Sequence, residues 1–256
     1  MAMAGQWATI MVIAIMAARR MTPMATIIPT ITLILTIILM AIPMNTEHLL
    51  TLTQWLSPAY PVGGFAWSHG LETAIANGQV SDSDTLQAWL TAVLTHGAGR
   101  ADAILLGAAH AATPDTLPEV AALADALAPS QERRAETLSQ GVAFAATTRE
   151  VWGLDLPDMA YPVVIGRASA LMGLPAVPPA QMMLQAMMSN QVQAAQRLMR
   201  LGQTKAQGVL ARLTPLCARI AEEAVPAGLD ALGSAAFAID IAAMRHEEQS
   251  PRLFRS

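Results

Sequence analysis

The 256-residue sequence is poor in cysteine, lysine, aromatic side chains and charge. It has one cysteine, Cys217, one lysine, Lys205, 4% aromatic and 13% charged residues. A single cysteine excludes an internal disulfide and fits a reducing compartment such as the cytoplasm. Cys217 falls in an apolar helical pattern, which predicts a small buried side chain rather than a nucleophile. The formal net charge is −4 and the basic residues are scattered arginines, so neither nucleic acid nor an anionic membrane surface is an expected partner.

Motifs for cofactors and catalysis are absent as well. The sequence has neither the GxxxxGK[ST] nor the GxGxxG phosphate loop, so no nucleotide or other cofactor is expected. It has no HExxH metal motif and no GxSxG nucleophile elbow, which argues against metalloprotease and hydrolase chemistry. We therefore predict a protein without a catalytic site of its own. The histidines are widely spaced, at His48, His69, His96, His110 and His246.

One histidine, His69, has a nearby carboxylate in Glu72, three residues later on a helix predicted over 67–76. Residues at this spacing can share one face of a helix. A closed metal site needs more than two ligands, so the pair predicts no resident metal. Two interpretations stay open: a structural hydrogen bond, which a lone His–Glu pair usually forms, and a transient metal contact.

The first 43 residues differ in composition from the rest. Residues 1–43 contain no acidic side chain, and 24–42 form an uncharged apolar stretch long enough to span a bilayer. One interpretation is a membrane anchor, with an arginine pair just before it on the cytoplasmic side. The other is a translation start at Met44 with the upstream residues assigned in error, which the abrupt change in composition favours. We therefore predict an N-terminal extension followed by one domain over 44–256.

Residues 44–256 have the pattern of an all-α protein. Apolar residues recur at helical spacing, as at Leu86, Trp89, Leu90 and Val93, and no strand-like alternation competes. Proline and glycine mark the connections. We predict a single helical bundle of about ten helices with short Pro/Gly connections. The predicted helices include segments at 67–76, 130–146 and 229–244.

A Pro/Gly-rich loop concentrates three of the few aromatic residues. Tyr60, Phe65 and Trp67 lie in or beside the loop, around Gly64. Aromatic side chains next to a rigid turn are typical anchors of a protein interface. The alternative is that they fill the end of the bundle.

The C-terminal segment 245–256 is rich in charge and predicts little burial. It holds Leu253 and Phe254 between two arginines, Arg252 and Arg255. An exposed Leu-Phe pair flanked by arginines is typical of a docking peptide that orders on binding. The alternative is an inert, frayed terminus.

Four segments carry a family resemblance. They are SPAYPVGGFAWSHGLE at 57–72, YPVVIGRASALMGL at 161–174, AQRLMRLGQTKAQGVL at 195–210 and MRHEEQSPRLFRS at 244–256. Together, and in this order, they resemble the urease accessory protein F family (UreF). The likeness covers 46–256 and leaves 1–43 without a counterpart.

The resemblance implies an all-α homodimer without catalysis that acts in the nickel-dependent maturation of urease. It implies two partners: the D/H accessory protein, which contacts apo-urease, and the G protein, a nickel-carrying GTPase that the chain recruits and modulates. On this resemblance His69 and Glu72 become candidates for transient contact with passing nickel.

The resemblance also implies that the C-terminal segment docks on the Pro/Gly-rich loop and orders when the D/H protein binds. Some relatives have tyrosine at the position of Phe65. Without that hydroxyl, a cation–π contact between an arginine and the Phe65 ring is the alternative interaction. The predicted partner-binding residues are Tyr60, Gly64, Phe65, Trp67, Arg252, Leu253, Phe254 and Arg255.

Overall fold

A computed structural model describes residues 45–256, and in this range the chain is all-α, which confirms the predicted fold class. Two 3-10 turns, Gly64–Ala66 and Leu229–Ala231, lie in the connections. The α-helices of this range are α1 (Thr46–Trp55), α2 (Leu71–Ala76), α3 (Ser83–His96), α4 (Ala98–Ala111), α5 (Leu117–Ala126), α6 (Gln131–Trp152), α7 (Tyr161–Leu171), α8 (Val177–Leu198), α9 (Gln203–Ala224) and α10 (Phe237–His246).

The apolar stretch at 24–42 lies outside the described residues, so the choice between an anchor and a mis-assigned start stays a prediction. Within 45–256, no helix combines the length and the hydropathy needed to cross a bilayer. The longest helices, α6, α8 and α9, each have 22 residues and carry polar side chains along their length.

The ends of the helices follow from local sequence. Asp82 caps α3 by accepting hydrogen bonds from the backbone N–H groups of Asp84 and Thr85, and Ser130 caps α6 by accepting from Arg133. These bonds satisfy donors that the first turn of a helix leaves unpaired. Proline in the first turn of α7 and of α8 suits positions where no backbone donor is needed.

The core forms around α4, most of which is buried, with α3, α7 and α9 packed against it. Two glycines allow helices to approach each other's backbone closely. A Cβ on Gly166 of α7 would lie 2.3 Å from the carbonyl oxygen of Leu106 in α4. A Cβ on Gly141 of α6 would lie 1.8 Å from the carbonyl oxygen of Met159. No side chain fits at either contact, so these positions set the spacing of α4, α6 and α7.

Three predicted helix bounds are wrong. The helix predicted at 67–76 begins only at Leu71, because His69 and Gly70 have positive φ values of 54° and 74°, which a right-handed helix does not allow. The helix predicted at 229–244 begins at Phe237, after a 3-10 turn and an extended stretch. The helix predicted to end at 146 continues to Trp152 and stops at a left-handed Gly153.

Aromatic side chains fill one end of the bundle. The Tyr60 ring packs 5.3 Å from Phe144 and 6.4 Å from Trp152, and the Trp55 ring packs edge-on to Phe144 at 5.5 Å. The Tyr60 hydroxyl shares a 2.8 Å hydrogen bond with Thr148, and burial raises the pKa of Tyr60. Tyr60 therefore fills this end of the bundle, which was the alternative to a role as an interface anchor.

We expect Tyr60→Phe to lower the free energy of unfolding by about 1–2 kcal/mol, because Thr148 loses its buried partner. Urea denaturation measures the change. The matched control is a double-mutant cycle with Thr148→Val. A coupling energy near zero between the two positions would contradict the assignment of this hydrogen bond.

Candidate functional site

Two segments distant in sequence form one surface: the loop, residues 57–70, and the tail, residues 247–256. The prediction that this end of the chain has little to bury is wrong, because Phe254 is only 4% exposed and Ser256 is also buried. The prediction that Leu253 and Phe254 are both exposed is half correct, since Leu253 is 63% exposed. The tail is therefore an integral part of the fold of this chain.

Main-chain hydrogen bonds hold the tail against the loop. The Arg255 N–H donates to the carbonyl oxygen of Ala66 at 2.9 Å, and the Ser68 N–H donates to the main-chain oxygen of Ser256 at 2.8 Å. The Ser68 hydroxyl donates to the same oxygen, and the His69 N–H donates to the Ser256 hydroxyl at 3.3 Å. His69, whose backbone is left-handed with a φ of 54°, is thus tied to the tail through its N–H.

Two arginines lie over aromatic rings where the tail meets the loop. The Arg255 guanidinium is 4.9 Å from the centre of the Trp67 ring, and the Arg197 guanidinium of α8 is 4.9 Å from the centre of the Phe254 ring. The alternative cation–π contact to the ring of Phe65 is therefore wrong, because the tail arginine lies over Trp67 instead. Phe65 gives only its carbonyl oxygen, which accepts from Arg197 at 3.2 Å. Each cation–π contact contributes about 0.5–1 kcal/mol or more.

Glu72, in the first turn of α2, fixes the middle of the tail. Its two carboxylate oxygens accept the N–H groups of Leu253 at 2.7 Å and Phe254 at 2.9 Å. The ring of His246 lies 3.1 Å from the second oxygen. Burial raises the pKa of Glu72, but these hydrogen bonds outweigh it and leave the pKa below its ordinary value. Glu72 is thus an ionised anchor for the tail.

A second carboxylate, Glu132 of α6, completes this cluster. One of its oxygens lies 2.8 Å from Nδ1 of His246, and the other accepts a hydrogen bond from the Arg252 guanidinium. We call these four residues, Glu72, Glu132, His246 and Arg252, the tail cluster. Sequence reasoning missed Glu132, because an acidic residue in the first turn of a helix is ordinarily explained by the helix dipole.

A separate buried cluster lies behind the loop and is called the inner cluster. Nε2 of His69 is 2.7 Å from Oε1 of Glu136, which also accepts from Gln140 at 2.8 Å. Arg133 lies 3.1 Å from the other oxygen of Glu136 and bonds Asp102 on α4. Burial raises the pKa of Asp102. Burial also acts to raise the pKa of Glu136, but the neighbouring His69 and Arg133 outweigh it and hold that pKa below its ordinary value.

The prediction that His69 and Glu72 share one helix face is wrong. His69 precedes α2 and its ring points to Glu136 of the inner cluster, whereas Glu72 belongs to the tail cluster. The pair has no common ligand site. In the part of the chain that the structure describes, no group of three or more His, Cys, Asp or Glu side chains is arranged to hold a metal ion.

The predicted partner-binding residues separate into two groups. Tyr60, Gly64, Trp67 and Phe254 are buried and build the surface from within. Phe65, at 64% exposure, and Leu253 are apolar side chains in solvent. Arg252 and Arg255 are also exposed. Only this second group is free to contact another molecule while the tail is docked.

A groove of about 490 Å³ runs beside the loop, between α1, α8 and α9. Its walls hold apolar side chains together with amides such as Gln185, Asn190 and Gln193. Its titratable residues, Tyr60 and Tyr161, are both tyrosines whose pKa is raised by burial. The groove thus offers hydrogen-bonding partners and apolar contact rather than a general acid and base pair.

This chain matches the profile of one known family and is similar in sequence to several curated proteins. The family profile described as UreF matches residues 80–214. The urease accessory protein UreF of Ruegeria pomeroyi is 50% identical over 211 residues, which cover 82% of this chain and 97% of that protein. The protein of the same name from Cereibacter sphaeroides strain KD131 is 52% identical, covering 81% and 98%. The one from Bradyrhizobium sp. strain ORS 278 is 45% identical, covering 80% and 90%.

Proposed function

The chain belongs to the UreF family of urease accessory proteins, and on that premise we propose that it is a non-catalytic adaptor in the nickel-dependent maturation of urease. The observation that carries the proposal is the identity of about half the residues over nearly the whole length of the relatives. Identity of this extent supports a shared fold and a shared role in urease maturation.

In this proposal the surface formed by loop and tail receives the D/H accessory protein. Phe65 and Leu253 are its apolar anchors, and Arg252 and Arg255 form a charged rim around them. An apolar centre with a polar rim is the usual anatomy of a protein interface. The buried hydrogen bonds beneath hold both anchors in place in the docked tail, the state that the tail takes up when the D/H protein binds.

The chain then recruits the nickel-carrying GTPase and modulates its GTP hydrolysis, as a homodimer in the cytoplasm. Apo-urease is reached through the D/H protein. The groove with amide and apolar walls supports binding rather than catalysis, and the lone buried Cys217, whose pKa is raised by burial to about 11, is unsuited to nucleophilic work.

We expect the double variant Phe65→Ala, Leu253→Ala to weaken binding of the D/H protein about thirtyfold or more, the effect of losing central interface anchors. Titration calorimetry with purified D/H protein measures the dissociation constant. The matched control is Val151→Ala, which removes a side chain that is 61% exposed on α6, outside the loop and tail.

A second measurement extends this test to function. Activation of apo-urease by nickel, GTP and the accessory proteins should require the chain and should fall in the double variant but not in Val151→Ala. If the wild type, the double variant and Val151→Ala all bound the D/H protein equally well, the loop and tail would not belong to the interface. Full activation without the chain would overturn the adaptor role itself.

A further inference from the structure

Two exposed arginines contact the loop at residues 65–67. Arg197, near the end of α8, donates a hydrogen bond to the carbonyl oxygen of Phe65 at 3.2 Å. Arg255, in the tail, donates its main-chain N–H to the carbonyl oxygen of Ala66 at 2.9 Å, and its guanidinium lies over the ring of Trp67. The docked tail therefore adds a second guanidinium to a part of the loop where α8 already supplies one.

Both guanidinium groups are held in place by an aromatic ring and keep most of their donors unused. Arg197 lies over Phe254 and Arg255 over Trp67, each 4.9 Å from the ring centre. Within the described residues, the Arg197 guanidinium makes one hydrogen bond, to the loop, and the Arg255 guanidinium makes none. The N–H groups of a guanidinium form a planar set of donors that matches the two oxygens of a carboxylate.

The described part of the chain provides no acidic partner for either arginine. The arginines that pair with a carboxylate there are Arg133, Arg134, Arg149, Arg219 and Arg252. Glu72 and Glu132 have other partners, because Glu72 accepts two N–H groups of the tail backbone and Glu132 bonds Arg252. Residues 1–44 contain no acidic side chain. A carboxylate for these two cations therefore has to come from another molecule.

On the premise of the adaptor role, we propose that Arg197 and Arg255 bind carboxylate side chains of the D/H accessory protein, so that its contact face is acidic where it meets Phe65. This adds Arg197, which belongs to neither the loop nor the tail, to the residues that bind this partner. Arginine is one of the residue types most often found at the energetic centre of protein interfaces.

The same contact links binding of the partner to docking of the tail. Docking brings Arg255 to the part of the loop that Arg197 already contacts, and it places Phe254 beneath Arg197. Two like charges near each other oppose this arrangement, and carboxylates of the partner compensate them. An acidic partner therefore favours the docked tail, and the docked tail favours an acidic partner.

The attraction has to be local, because the chain as a whole carries a formal charge of −4. Charges in water act over about 10 Å at 0.1 M salt and over about 3 Å at 1 M salt. A negative protein gains nothing from its net charge when it meets an acidic face. Attraction that weakens with salt should therefore depend on these two arginines and not on arginines elsewhere on the surface.

The test is the salt dependence of binding between the full chain and purified D/H protein, measured by titration calorimetry. The double variant Arg197→Gln, Arg255→Gln should bind about tenfold or more weaker than the wild type at low ionic strength. The difference should narrow to about threefold or less near 1 M salt, where charges are screened. The double variant Arg197→Lys, Arg255→Lys keeps both charges but not the planar donors, so it should keep the salt dependence at an intermediate affinity.

The matched control is Arg212→Gln, Arg219→Gln, which removes the same charge from exposed positions of α9 and should bind like the wild type at every salt concentration. A loss of affinity that is equal at low and high salt would mean that Arg197 and Arg255 only support the tail. A loss shared by the control would mean that only the net charge matters. Either result would overturn the proposal.

Two further outcomes separate this inference from the adaptor role. If the variant of Arg197 and Arg255 altered self-association of the chain in analytical ultracentrifugation but bound the D/H protein normally, the acidic partner would be a second copy of the chain and the inference would be wrong. Salt-independent binding by the wild type would overturn this inference alone, whereas no binding by the wild type would overturn the adaptor role as well.

Discussion

Replacing Glu136 with alanine is expected to lower the free energy of unfolding by about 3–5 kcal/mol, the cost of leaving buried charge without its partner. Glu136 is almost fully buried, shares hydrogen bonds with His69 and Gln140 through one oxygen, and forms an ion pair with Arg133 through the other. After the substitution Arg133 keeps only Asp102, and the ring of His69 faces a cavity. Chemical denaturation at neutral pH measures the loss.

The control is Glu223→Ala, which breaks the ion pair with Arg219 on α9, where both side chains are 59% exposed. We expect a change below about 1 kcal/mol there, because solvent screens exposed pairs. Similar losses at the two sites would contradict the role given to the inner cluster.

The dependence on pH supplies a second check on Glu136. Since its folded pKa lies below the ordinary value of 4.5, the ionised group contributes stability that is present above this value. That contribution is lost as pH falls through the lowered folded pKa. The difference in stability between wild type and Glu136→Ala should therefore be greatest near neutrality and narrow in acid.

Gly141→Ala is expected to destabilise the chain by about 3 kcal/mol, the upper range for overpacking a tight core. The added methyl group would lie 1.8 Å from the carbonyl oxygen of Met159 and 2.9 Å from the backbone of Ala160 and Tyr161. Backbone at the start of α7 must then move away from α6. Thermal and urea unfolding both report the effect.

Gly208→Ala in α9 is the matched control, since it makes the same chemical change inside a helix of the same length. The only atom near its Cβ is the end of the flexible Arg212 side chain, at 3.5 Å. Here alanine should stabilise by about 0.5–1 kcal/mol through helix propensity. Destabilisation by both substitutions would show that close approach at Gly141 is not the cause.

The helices could be predicted where a continuous apolar face meets clear caps. α3 is an example, because Leu86, Leu90 and Leu94 lie one turn apart and all are buried. The start of α2 could not be predicted in this way. Nothing local signals that His69, a residue with a Cβ, adopts a left-handed conformation, since contacts with the tail and with Glu136 stabilise it.

The loop and the tail could be proposed as a joint surface from the sequence, but the contacts that join them could not. The loop and tail were found through aromatic clustering and family resemblance, whereas the bond from Leu253 to Glu72 joins residues 181 positions apart. No periodicity reports such a contact. Arg133 and Glu136 look like an ordinary charged helix start in the sequence, and only packing against α4 and the loop shows that they are buried.

Neighbouring residues at the start of α6 serve different clusters: Glu132 reaches the tail, and Arg133 reaches Asp102 and the loop side. Successive side chains on a helix point about 100° apart. The first turn of α6 therefore contributes one residue to the tail cluster and the next residue to the inner cluster. A change in the loop, in this turn or in the tail therefore alters contacts of the other two segments. For protein engineers, hybrids between relatives should exchange the three segments as a single cassette, with no insertion between Ser130 and Glu136.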